Sequence, residues 1–245
     1  MRIPKIYTET TLTENAEFSL QEQEAQHIVK VLRMKEGDAL RLFDGSGLFY
    51  PAEIIQTGKK SVLVKTSQAE RSLSESKLHT HLGQVMSRGD RMDYVIQKST
   101  ELGINDITPL TSERCELKLK SERAEKRIKH WQQIAISAAE QCGRACVPTI
   151  HPIMSVNDWV HENKDKGLSL VLHHRDTQKL TDIQTPPEHV NLLIGPEGGL
   201  NQSEIERATQ ASFIPSTFGP RVMRTETAPV ACLSILQWLW GDFQG

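Results

Sequence analysis

The sequence predicts a mixed α/β protein in two parts, a small β-rich domain followed by a larger α/β domain with a mostly parallel sheet. Three observations carry this reading. Up to about residue 70, apolar residues recur in short alternating runs; the polar stretch ERSLSESK (70–77) has the composition of a linker; beyond it, strand-like runs alternate with helix-like ones. A chain of 245 residues can form one large domain or two modest ones, each with a real core.

In the first part Ser19 and Glu22 have capping-box spacing, and Ala25, Ile28, Val29 and Leu32 repeat at helical intervals until Gly37-Asp38, which predicts one helix. Leu40 and Leu42 then alternate, DGSG (44–47) makes a turn, and LFYPAEII and SVLVKT read as strands separated by Gly58-Lys59-Lys60. Together they predict a small β-barrel or meander. In the second part LGQVM (82–86) is a strand, Asp90 caps a helix presenting Met92, Val95, Ile96, Ser99 and Leu102, Gly103 ends it, and INDITPL is the next strand. A helix over about 121–141 has the spine Ile128, Trp131, Ala135 and Ala138 and stops at Gly143. LSLVL (168–172), HVNLLI (189–194) and FIPSTF (213–218) are further strands. The last helix, ACLSILQWLW (231–240), spreads Leu233, Ile235, Leu236, Trp238, Leu239 and Trp240 over more than one face. It needs burial on two sides, and a subunit interface would supply the second.

Composition narrows the function classes. Hydrophobic residues are 38%, charged residues 24%, and 29 basic against 31 acidic side chains leave a net charge of −2, so no global field favours nucleic acid or membrane. No apolar run has the length of a membrane span and the opening MRIPKIYTETTL lacks a signal peptide's apolar stretch, so a cytoplasmic protein is expected. The four cysteines, Cys115, Cys142, Cys146 and Cys232, form no CxxC pair and are expected as reduced thiols. A zinc site built on Cys142 and Cys146 with His79 and His81 would lack two tight ligand pairs, so no metal is expected.

Ligands of open α/β sheets bind beyond the carboxyl ends of the strands. Three consecutive strands run into unusual residues there: His173-His174-Arg175-Asp176, Gly195-Pro196-Glu197-Gly198-Gly199, and the segment from Gly219 to Thr227. Glycines let the backbone approach a ligand closely, and Pro196 stiffens the turn. Asn201 and Glu204 have capping-box spacing and Leu200 and Ile205 that of a hydrophobic staple, so a helix starts at Asn201. Taken alone, this loop is equally an ordinary strand-to-helix turn. It lacks the GK[ST] of a nucleotide phosphate cradle, and no GxGxxG occurs. Arg221, Arg224 and Glu226 around Thr225 and Thr227 form either a functional charge cluster or a self-satisfied ion pair. In the second case Thr225 or Thr227 caps the last helix, with Pro229 and Glu226 in its first turn. The run KLKSERAEKRIK (118–129) is either a solvated helix face or a phosphate-contacting patch.

Taken together, LLIGPEGGLNQSE (192–204) and FGPRVMRTETAP (218–229), after STELGINDITPL (99–110), SER (112–114) and AAEQCGR (138–144), resemble the ribosomal RNA small subunit methyltransferase E family. HIVKVLRMKEGD (27–38) and the DGSG turn resemble that family's N-terminal PUA-like domain, so the resemblance covers nearly the whole chain. One departure is Phe218, where the family has leucine. The resemblance implies an α/β fold with a PUA-like RNA-binding β-barrel over 1–72 and a SPOUT methyltransferase domain over 73–245. The second domain would carry a deep trefoil knot, the cofactor site and a homodimer interface. It further implies transfer of a methyl group from S-adenosylmethionine to N3 of a uridine, position 1498 by convention, in 16S rRNA of the small ribosomal subunit.

By the same resemblance, Arg221 and Arg224 would stabilise charge on the uracil oxygens, and Glu226 would act as base or orient an arginine. The cofactor would lie against Leu172, His173, Ile194, Gly195, Pro196, Glu197, Gly198, Gly199, Phe218, Gly219, Arg221, Val222, Met223 and Thr225. RNA would meet Arg33, Arg88, Arg91, Arg114, Lys118, Lys120, Arg123, Lys126, Arg127 and Arg144. Two other readings are a noncatalytic RNA-binding or assembly protein with a vestigial pocket and a methyltransferase for another RNA nucleotide. Both glycine-containing loops are intact, which a binding protein has no chemical need for.

Overall fold

Why the N-terminal residues form a sheet follows from their alternation, and the computed structural model, which describes residues 3–58, 60–115, 121–173, 180, 183 and 185–244, bears it out. The chain divides into two compact units, Met1–Glu75 with Ala139–Val147, and Ser76–Ala138 with Pro148–Gly245. By its contacts the stretch from Ala139 to Val147 groups with the N-terminal unit.

In the first unit β1 (Lys5–Tyr7), β2 (Glu17–Leu20), β3 (Ala39–Phe43), β4 (Leu48–Thr57), β5 (Val62–Thr66) and β6 (Glu70–Arg71) form one sheet in the order β1-β3-β4-β5-β2, with β6 on β4. Leu40 and Leu42 of β3 and Val62 and Val64 of β5 point into a core with Ile6, Leu20, Ile28 and Ile54. Gly45 and Gly47 take positive φ at the DGSG turn, while Asp44 accepts the Ser46 and Leu12 amides. The predicted Ser19 cap is overturned: Ser19 lies in β2 opposite Leu63, and α1 (Glu22–Gln26) starts at Gln21 with no side-chain cap. Pairing into a sheet outweighs a local cap worth about 1 kcal/mol. The helix continues as a π-helical turn over His27–Val31 and ends with Arg33 in the left-handed region. Part of the predicted linker, Glu70–Arg71, is also a strand.

The second unit is a seven-stranded sheet with every pairing parallel. Its strands are β7 (His79–Val85), β8 (Asp106–Thr111), β9 (Thr149–Ile150), β10 (Met154–Ser155), β11 (Leu168–Leu172), β12 (His189–Ile194) and β13 (Ile214–Ser216), in the order β10-β8-β7-β12-β11-β13 with β9 on β8. Val190 to Ile194 are all buried, as expected for a strand covered on both faces. After β7 the chain builds outward through β8, then returns to place β12 on the other side of β7. The crevice between β7 and β12 is therefore a topological switch point.

The helices are α2 (Arg91–Glu101), α3 (Ser121–Cys142), α4 (Val156–Glu162), α5 (Gln202–Gln210) and α6 (Thr227–Trp240). Met92, Val95, Ile96 and Ser99 of α2 are buried as their spacing predicts. Asp93 accepts from Trp131 Nε1 at 3.0 Å and pairs with His130, tying α2 to α3. Gly83 is needed because Trp159 of α4 packs onto β7, where a Cβ would lie 2.8 Å from the indole. Along α6, Cys232, Leu233, Leu236 and Gln237 are buried, whereas Ile235 and Trp238 remain 39% and 58% exposed. Among the described residues no helix is long and apolar enough to cross a membrane.

Candidate active site

Because the strands of the second unit run parallel, their carboxyl ends share one edge of the sheet. At the end of β12 the turn is tight: a Cβ on Gly195 would lie 2.9 Å from the Leu200 amide nitrogen. Gly199 has a φ of 69°, and its amide donates to the Pro196 carbonyl at 2.8 Å. The predicted capping box is present, with Asn201 Oδ1 accepting the Glu204 amide and Glu204 Oε2 accepting the Asn201 amide. Glu204 does more than cap. It is 3% exposed, and its other oxygen accepts the Glu113 amide at 3.0 Å. The segment following β8 is thereby docked onto the glycine loop, and Arg114 Nη1 donates to the Gly198 carbonyl at 2.9 Å.

The segment after β13 turns at Gly219, which has a φ of 93°, and enters α6. Thr225 does not cap that helix, nor does Thr227; Glu226 occupies the cap position without a side-chain bond. Thr225 Oγ1 instead donates to the Gly195 carbonyl and accepts from Gln84 Nε2, each at 3.0 Å. One buried hydroxyl thus joins β7, the glycine loop and the segment before α6 across the switch point.

The ion pair considered within that segment is absent. Arg221 and Arg224 are exposed, and neither guanidinium has a hydrogen-bond or ion-pair partner among the described residues. Glu226 faces Arg91 at the start of α2, with Arg91 Nε 3.8 Å from Glu226 Oε2, while Arg91 Nη1 hydrogen-bonds Glu197 Oε1. Arg88, Gly89, Asp90, Arg91, Arg114, Glu197 and Gly198 line a cleft of 480 Å³ here. Arg91 is engaged by Glu197 and Glu226, whereas Arg88 and Arg114 bring further positive charge to the cleft lining. Four buried polar atoms near these strand ends, Gln84 Oε1, Ser87 Oγ, Ser112 Oγ and Glu226 Oε2, have no hydrogen-bond partner among the described residues. Such orphans cost free energy unless a ligand or water satisfies them. Sequence reasoning missed the first three; the only available signal was a glutamine and serines closing apolar strands.

The remaining expected contacts separate. Ile194 and Pro196 are buried, Leu172 and His173 half-buried, and Val222 is 91% exposed. Arg123, Lys126 and Arg127 share an exposed face of α3, and Arg33 is exposed in the first unit; Lys118 and Lys120 lie outside the described residues. Arg144 is corrected: it is 3% exposed, and Glu75 Oε2 accepts from both its Nε and Nη2, so its guanidinium is committed to an internal ion pair. Among the described residues no group of three or more histidine, cysteine, aspartate or glutamate side chains is arranged to hold a metal ion.

The opposite edge, at the amino ends of the strands, carries a second cleft of 310 Å³ that includes His79, His81, Asp106, His151, Trp159 and His189. The two Asp106 oxygens bond His79 Nε2 at 2.9 Å and His151 Nε2 at 2.7 Å. Trp159 Nε1, which can only donate, points at His81 Nε2 at 3.2 Å, so that nitrogen carries a lone pair and the ring is neutral. Burial away from water, with repulsion from His151 and His79, overrides attraction by Asp106 and pushes the His81 pKa down to about 4.

Comparison with known proteins places this geometry. An RNA methyltransferase domain family matches residues 74–237, and an RNA methyltransferase PUA domain family matches residues 20–67. The chain is 37% identical to ribosomal RNA small subunit methyltransferase E of Buchnera aphidicola subsp. Acyrthosiphon pisum, over 99% of this chain and 96% of that protein. Two solved structures cover 99% of this chain and all of their own. One, from Legionella pneumophila, is in complex with the bound cofactor S-adenosylmethionine (39% identity, TM-score 0.94). The other is a ribosomal RNA small subunit methyltransferase E from Neisseria gonorrhoeae bound to S-adenosyl methionine (36% identity, TM-score 0.93). With its catalytic-domain model matched over most of the chain and its relatives matched end to end, the protein belongs to the ribosomal RNA small subunit methyltransferase E family.

Proposed function

We propose that this protein methylates N3 of a uridine, position 1498 by convention, in 16S rRNA of the small ribosomal subunit, using S-adenosylmethionine. The observation that carries the reading is the convergence, at the switch point between β7 and β12, of the glycine loop, the Arg221–Glu226 segment and the arginine-lined cleft. The residues suit the cofactor. Gly195 lets the loop turn tightly against Leu200, and the Gln84, Ser87 and Ser112 atoms without partners among the described residues can serve a polar ligand. Leu172, Ile194 to Gly199 and Phe218 to Met223 would hold it, with Thr225 fixing the loop through Gly195. When bound, S-adenosylmethionine supplies an electrophilic methyl group.

The chain's own residues supply the rest. Uracil N3–H is a poor nucleophile until its proton leaves. Arg221 and Arg224, exposed and without a partner among the described residues, stabilise the negative charge on the uracil oxygens, and Glu226 accepts the proton. Positioning accounts for much of the remaining rate. The exposed face of Arg123, Lys126 and Arg127 contacts phosphates, and the N-terminal unit acts as a PUA-like RNA-binding barrel. The SPOUT unit is knotted and dimerises through the exposed apolar side of α6, and the protein works in the cytoplasm without a metal. Purified protein, small subunits from a strain lacking it and S-adenosylmethionine labelled in the methyl group provide the test. Labelled N3-methyluridine is expected after nucleoside digestion; label in any other nucleoside, or none, refutes the reading.

A further inference from the structure

We propose that Arg91 is a positioning residue for the methyl transfer, holding Glu226 as the acceptor of the uracil N3 proton, and is not a contact for RNA phosphate. The proposal rests on the function just given. Its first support is charge. Arg91 lies between Glu197 Oε1 and Glu226 Oε2, so the trio carries a net negative charge and is a poor anchor for a phosphate. Arg114 differs, because it donates to the uncharged Gly198 carbonyl and keeps its charge uncompensated by that bond.

The second support is the state of the acceptor oxygen. Glu226 Oε2 is buried and receives no hydrogen bond from the described residues. At 3.8 Å the Arg91 Nε is too far to donate one, so the charge contact orients the carboxylate without occupying that oxygen. A carboxylate oxygen that is held in place but not hydrogen-bonded can take a proton without first breaking a bond. The third support is connectivity. One guanidinium at the start of α2 fixes both Glu197 in the glycine loop after β12 and Glu226 at the cap of α6, so the carboxylate keeps its place relative to the cofactor loop.

Glu226 Oε2 takes the N3 proton, and the electron pair freed on N3 forms the bond to the methyl carbon. The methyl–sulfur bond breaks with its pair going to sulfur, which turns the sulfonium into a neutral thioether.

The test is steady-state methylation of small subunits by Arg91→Ala, Arg91→Lys, Glu226→Gln and the double variant Arg91→Ala/Glu226→Gln, at two salt concentrations. Arg91→Ala is expected to lower kcat by about tenfold or more while KM and its salt dependence stay within about threefold of the parent. Arg91→Lys restores part of the loss. The double variant is no slower than Glu226→Gln alone, because Arg91 acts through that carboxylate. A raised KM with intact kcat and a flatter salt slope marks a phosphate contact and overturns the proposal. So does a multiplicative loss in the double variant. If Arg91→Ala does not fold by circular dichroism, Glu197→Gln, which releases the anchor of Arg91, must give the same kcat loss. Parent protein that forms no N3-methyluridine refutes the proposed function and this inference together; parent that forms it, with Arg91→Ala affected only in KM, refutes the inference alone.

Discussion

Replacing His81 with glutamine should flatten the acid limb of the stability curve of the methyltransferase unit. The structure sets the size of the effect. His81 Nε2 must stay unprotonated to accept from Trp159 Nε1 at 3.2 Å, and it also bonds Thr108 Oγ1 at 2.8 Å. Burial pushes its pKa from 6.5 to about 4, so between those values the unfolded chain binds a proton that the folded chain refuses. The sign is therefore fixed: this contribution is complete above pH 6.5 and is lost as pH falls through the window toward 4. At about 1.4 kcal/mol per pH unit, the loss between pH 7 and pH 4.5 comes to roughly 2.5 kcal/mol. Burial opposes the ionised form of Asp106, but the hydrogen bond from His151 and the neighbouring rings hold its carboxyl below the usual range, so its contribution is lost only at still lower pH. Glutamine can still accept from the indole but does not titrate. Urea unfolding of parent and His81→Gln at pH 7 and 4.5, followed by tryptophan fluorescence, measures the difference. Parent should lose about 2.5 kcal/mol more than the variant on acidification. An equal loss in both would refute the argument that Trp159 and burial keep His81 neutral.

The other predictions concern the proposed site and assembly. Gly198→Val should abolish S-adenosylmethionine binding in calorimetric titration while leaving the fold intact, because a Cβ there meets only Arg114 Cδ at an ordinary 3.8 Å and the branched side chain then fills ligand space. Alanine at Arg221 or Arg224 should lower turnover far more than subunit affinity, whereas removing Arg123, Lys126 and Arg127 together should weaken subunit binding and flatten its salt slope with saturated turnover nearly intact. Ile235→Lys with Trp238→Lys should turn a dimer into a monomer in sedimentation velocity, because both lie on the exposed side of α6, whereas Leu236 is fully buried within its own unit and a charge there would disrupt folding instead.

How far the sequence could be read depended on whether the deciding interaction was local. The Asn201–Glu204 capping box and the strands 168–172 and 189–194 were legible because spacing and apolar runs specify them. Ser19 and Glu22 show the same spacing without the cap, because Ser19 pairs with β5, a partner more than forty residues away in the chain. The short strands β1, β9 and β10 and the helix α4 escaped notice for want of a full hydrophobic period. At the site, glycine content announced the loop after β12 and charge density the segment before α6. Which charge meets which was not legible: Glu226 faces Arg91, not its neighbours in sequence, and Arg144, exposed by composition, is spent inside on Glu75. Thr225 looked like a cap because local rules favour threonine there, yet its hydroxyl bridges Gln84 and Gly195.

Mass spectrometry of 16S rRNA from a strain lacking this protein decides whether it is the N3-methyltransferase. N3-methylation should disappear from a single uridine, at position 1498 by convention, and return when the intact gene is restored but not when it carries Arg221→Ala with Arg224→Ala. Persistence of the N3-methyl group at that uridine in the deletion strain, or loss of a methyl group from a different nucleotide, would contradict that assignment.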